Sequence, residues 1–150
     1  MNAPTPHHAF ASPAMLAALR ADIAARRKAR SVNLSIHARQ HGAALLSLAR
    51  FRLDRSAQVA LGRLTAAGGA EDHWTPAISR DLRAVVRGLT AAVARCTAAS
   101  VAGALAWHLD RLRELSAQDA RIGALEAVLE AHWPEGMKTI RQRVAAKGKR

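Results

Sequence analysis

Apolar residues recur at three- and four-residue steps through most of this chain, the spacing of helices with one buried face. The longest such pattern runs from Thr75 to Leu115. Leu82, Val85, Val86, Leu89 and Val93 form one stripe, and Val101, Leu105, Leu109 and Leu112 continue it, shifted by about one position. Thr75-Pro76 opens it as a cap followed by a first-turn proline. The pattern predicts one long central helix over residues 76–115. Within it, Cys96–Leu109 carries no Asp, Glu, Lys or Arg and is rich in small residues, among them Ala98, Ser100, Ala102, Gly103 and Ala104. Small side chains beside the seam are expected to let neighbouring backbones approach.

Before that helix, Ser12-Pro13 reads as a helix start, and Leu16, Leu19 and Ile23 make a narrow apolar face. This first helix is expected to end in the basic cluster Arg26-Arg27-Lys28-Ala29-Arg30, with Ser31–Asn33 either a short break or a continuation. From Leu34 to about Ala66 the pattern is again helical, with bulk from Leu45, Leu46, Leu48, Phe51, Leu53, Leu61 and Leu64. Its apolar positions do not share one face, so the helix is either buried on two sides or broken near Asp54–Ser56. Gly68-Gly69 closes the segment. After the central helix, Ser116 and Asp119 have capping-box spacing, which predicts a fresh helix carrying the stripe Ile122, Leu125, Val128 and Leu129. Trp133-Pro134-Glu135-Gly136 ends it. The organisation expected is a flexible arm over 1–11, a helical bundle over 12–136, and a short basic helix with a disordered tail over 137–150.

Composition supports helices and little else. Half of the 150 residues are apolar, but there is no Tyr, and only two Phe and three Trp. The surplus is Ala and Leu, strong helix formers, while residues favoured in strands are scarce. The fold class expected is all-α: a single-domain bundle of four to five helices around the central one. Cys96 is the only cysteine, so no intrachain disulfide can form, and it reads as a small buried hydrophobe. Met1–Phe10 lacks the pattern of a secretory signal. Gly88–Leu109 is interrupted by Arg95 and rich in Ala, Thr and Ser, so it reads as a buried helix and not a membrane span. A cytoplasmic protein without membrane association is expected.

Charge changes the picture most. The net charge is +12, distributed as +4 over 1–30, +4 over 31–68, +1 over 69–100, −2 over 101–133 and +5 over 134–150. Such an excess repels itself unless a polyanion or acidic partner neutralises it. The candidate phosphate ligands are Arg26, Arg27, Lys28 and Arg30, then Arg39, Arg50, Arg52 and Arg55, then Arg80, Arg83 and Arg87 on one face of the central helix, and Lys138, Arg141 and Arg143 near the end. Arginine suits this task because its planar fork can contact phosphate through two bonds. No zinc finger, RNA-recognition consensus or K-homology loop accompanies them, which favours backbone contact over sequence reading.

Other chemistry is thin. His37 and His41 stand four apart, a spacing that can hold a metal, but no Glu follows His37 to make H-E-x-x-H. His108 and His132 could join them only through tertiary contact. No metal and no cofactor is assigned. Trp74, Trp107 and Trp133 each neighbour a histidine and read as core or helix-boundary anchors. There is no nucleophile elbow, no phosphate-cradling glycine loop and no paired carboxylates, so no enzymatic activity is expected. The reading is a non-enzymatic subunit that binds the backbone of DNA or RNA within a larger nucleoprotein complex, with protein partners or further copies of itself. Small subunits of CRISPR effectors and some phage-packaging or plasmid-transfer proteins are of similar size, charge and helicity, although no motif ties this chain to them. The alternative is a helical adaptor or inhibitor whose basic face meets an acidic protein.

Overall fold

A computed structural model describes residues 12–67 and 74–133. Within them the fold is all-helical, with four helices: α1 (Pro13–Ala49), α2 (Arg55–Ala67), α3 (Pro76–Arg95) and α4 (Ala99–His132). The 1–11 arm, the Gly68-Gly69 closure and the 137–150 segment lie outside the described residues.

Two of the three predicted N-caps form. The Ser12 Oγ accepts from the Met15 amide at 3.1 Å and the Thr75 Oγ1 from the Ile78 amide at 3.3 Å, with Pro13 and Pro76 in the first turns. Each satisfies an amide that has no partner inside the helix.

The predicted central helix is two helices. The chain leaves helical geometry at Cys96 (ψ 122°) and Ala98 (φ −81°, ψ 112°), and α4 runs back against α3. The one-position shift between the Leu82–Val93 and Val101–Leu112 stripes is the mark of this break. In a single helix the two stripes would diverge; folded back, Leu82, Val85 and Leu89 meet Leu105, Leu109 and Leu112 in one core. The small residues therefore serve another purpose than expected. Thr97–Ser100 form the exposed turn and helix start, and Gly103 faces open space. Cys96 is half-buried and not in the core. Close approach occurs instead at Gly88, where a Cβ would lie 2.6 Å from that of Ala57 on α2.

Ser116 does not start a helix, because α4 continues through it to His132. Nor does α1 end at the basic cluster or break at Ser31–Asn33. Of the two options for the Leu34–Ala66 segment, each holds in part. Over 34–49 α1 is buried on two sides, against α4 and α2, and the chain then turns at Arg50–Asp54. The four helices pack antiparallel in sequence. The halves of α1 and α4 that extend past α2 and α3 form a two-helix arm, closed by Ile23, Ile122 and Leu129 with Leu16, Leu19, Leu125 and Trp133.

Candidate nucleic-acid interface

The turn between α1 and α2 and the start of α2 carry three exposed arginines, Arg50, Arg52 and Arg55. Arg50 leaves α1 with φ −55° and ψ 128°, and Phe51 follows at φ 68°. The Arg52 amide donates to the Ala49 carbonyl at 2.9 Å, which closes a reverse turn of type II. The second central position of that turn needs a left-handed residue, normally Gly or Asn. A phenylalanine there costs about 1–2 kcal/mol. Leu53 then drops into the core, and Asp54 caps α2 by accepting from the Ala57 amide at 2.7 Å.

Between these anchors Phe51 is pushed outward. It was expected to supply bulk to a helix over Leu34–Ala66; it is instead the most exposed large apolar side chain described, at 84%. The Arg50 guanidinium lies 5.0 Å from its ring centre. Arg52 donates to the Leu48 carbonyl at 2.8 Å, and Arg95, from the end of α3, donates to the Arg52 carbonyl at 3.1 Å. Arg55 opens α2 and is exposed. One guanidinium, that of Arg50, thus lies against the aromatic ring, with Arg52, Arg55 and Arg95 on the residues around it, against a single carboxylate, Asp54, in this segment. Phe51 and Arg95 were not among the sequence candidates. The signal was present in Arg50-Phe51-Arg52: an apolar residue between two charges at a helix end.

The other basic residues divide. Arg80, Arg83 and Arg87 are exposed along α3, and Arg87 precedes the Gly88 that packs on Leu53 and Ala57, so the stripe runs toward the same end of the molecule. Arg39 is exposed on α1. The Arg26–Arg30 cluster does not form one surface. Arg26 pairs with Asp22 one turn earlier at 3.1 Å, Lys28 is exposed, and Arg27 pairs with Glu126 of α4 at 3.0 Å. Arg30 is buried. It binds Asp119 at 2.6 Å and lies 4.2 Å over the Trp74 ring. Asp119 also accepts from Ser79, which accepts from the Trp74 indole at 2.7 Å. Burial pulls the Arg30 pKa below its usual value despite the attraction of Asp119. Arg63, outside the candidate set, makes a two-bond contact with buried Asp81 at 2.8 and 3.0 Å. Lys138, Arg141 and Arg143 lie outside the described residues.

A second constellation sits between α1 and α4. The rings of His37, His41 and His108 lie 5.4–6.1 Å apart, and Trp107 packs edge-on to His41 and His108. His37 Nε2 and His108 Nδ1 are buried without a hydrogen-bond partner. Burial, and then the neighbouring imidazoles and Arg111, push the His37 pKa down to about 4; burial and His41 lower that of His108. His37 and His41 border a cleft of about 280 Å³ shared with Trp107, Arg111, Ile36 and Gln40. Tertiary contact does bring His108 to the pair. Among the described residues, however, no three ligating side chains stand as a metal-holding group.

Also among the described residues, no helix is long and apolar enough to cross a membrane. In comparisons with known proteins, no family model, no curated protein and no solved structure matches this chain.

Proposed function

We propose that this chain is a non-enzymatic subunit that binds the sugar–phosphate backbone of a nucleic acid, as part of a larger nucleoprotein complex. The observation that carries this is the α1–α2 turn, where Arg50, Arg52, Arg55 and Arg95 gather at one end of a +12 chain against the single carboxylate of Asp54. A local excess of cations raises the free energy of the protein alone, and a string of phosphates relieves it. Arg80, Arg83 and Arg87 extend the surface along α3. Arg27 and Arg30 are assigned to the fold, because α4 holds them.

The test is fluorescence anisotropy of labelled DNA and RNA against the whole chain at several salt concentrations. Log affinity should fall linearly with log salt, by about 0.7–0.9 per phosphate neutralised. Arg50→Ala with Arg55→Ala should flatten that slope by about one for each phosphate contact removed. Absence of binding at low salt overturns the proposal. Exposed Ile36 and Trp107, bordering the cleft between α1 and α4, favour a second reading in which this other face docks a protein of the same assembly.

A further inference from the structure

We infer that Phe51 is a base-stacking finger, and that the nucleic acid bound at this end is single-stranded. The inference rests on the backbone-binding reading and adds to it the state of the strand. Phe51 gives the fold nothing visible: its ring is almost wholly in water and belongs to neither core cluster. It also occupies a left-handed position that glycine or asparagine would take without strain. A residue that costs backbone energy and buries no surface is explained by something outside the chain.

The surroundings say what that is. Phe51 stands between Arg50 and Arg52, with Arg55 and Arg95 on the adjoining helices, an excess of cations that suits a polyanion. Guanidinia beside an aromatic face match a nucleotide, with phosphate on the charge and base on the ring. Within a duplex, base faces are covered by their neighbours and only their edges are open. An aromatic face therefore requires an unpaired base, and the ring imposes little preference for which one.

The experiment compares oligo(dT), oligo(U) and a mixed-sequence DNA duplex, each about 20 units long, with the full chain and with Phe51→Gly, Phe51→Asn and Phe51→Trp. Wild type should prefer the single strands. Phe51→Gly and Phe51→Asn should weaken single-strand binding by about 5- to 100-fold, leave duplex binding and the salt slope unchanged, and melt no lower than wild type. Phe51→Trp should restore affinity. If the glycine variant binds single strands as wild type does, or the chain favours the duplex, the finger is wrong while backbone binding stands. If binding falls only together with melting temperature, Phe51 is structural and the finger is likewise wrong. If wild type binds none of the three at low salt, the proposed function fails first. An acidic protein then becomes the partner to seek.

Discussion

At the scale of single residues, His37 makes the protein sensitive to acid. Its pKa is about 4 folded, against 6.5 in the unfolded chain, so between those values the unfolded state holds more protons. Stability therefore rises with pH across this window. It should fall by up to about 3 kcal/mol as pH drops from 6.5 to 4, and be flat in this respect above 7. His108, shifted the same way, adds to the slope. Urea unfolding at pH 7 and pH 5 checks this, and His37→Leu should remove much of the difference. Two glycines give opposite results for one substitution. Gly88→Ala drives a methyl to 2.6 Å from the Ala57 Cβ and 3.3 Å from Leu53, and should cost about 1–3 kcal/mol. Gly103→Ala meets nothing within 4 Å inside a helix and should stabilise by about 0.5–1 kcal/mol. Thermal melts of the pair separate a tight helix crossing from an open helix face.

At the scale of elements, one partly buried network ties α1 to α3 and α4. Arg30, Asp119, Ser79 and Trp74 form a closed ring of an ion pair, two hydrogen bonds and a stacked guanidinium. Asp119→Ala strands the buried Arg30 charge and should cost roughly 3 kcal/mol or more. Arg26→Ala, which removes an exposed pair within α1, should stay within about 0.5 kcal/mol. Denaturant unfolding of the two variants distinguishes these outcomes. The Arg26–Arg30 cluster thus contains both a surface charge and a piece of the core, and replacing all of it at once would confound binding with folding. Helix starts were legible because Ser12 and Thr75 act on amides three residues away. The start placed at Ser116 was a spacing match that the chain overrides, since α4 gains more by continuing its stripe to Ile122 and Leu129 along α1.

At the scale of the whole molecule, the surplus charge sets how stability answers to solution conditions. Raising salt from a few millimolar to physiological strength shortens the Debye length to about 8 Å, which should screen the self-repulsion and raise the melting temperature. A single-stranded oligonucleotide at low salt should raise it too. At 100 times the dissociation constant the gain is about 2.7 kcal/mol. Scanning calorimetry with and without oligonucleotide checks both effects.

By itself the sequence determined what depends on neighbours a few residues away. Helical class followed from Ala and Leu, the capped starts from Ser12 and Thr75, and the membership of the core from the three- and four-residue steps of Leu82, Val85, Leu89, Leu105, Leu109 and Leu112. Only the tertiary structure decided the direction of the chain after Cys96, because a stripe on a straight helix and one on a hairpin have the same local spacing. It also decided the fate of each cation, since rotation about α1 turns Arg30 toward Asp119 and leaves Lys28 in water. The gathering of His108 with His37 and His41, and the placing of Arg95 beside Arg52, needed helices far apart in sequence to meet. Phe51 lies between the two cases. Its neighbours in sequence marked it as unusual, but the surrounding anchors at Ala49, Leu53 and Asp54 are what hold its ring in solvent.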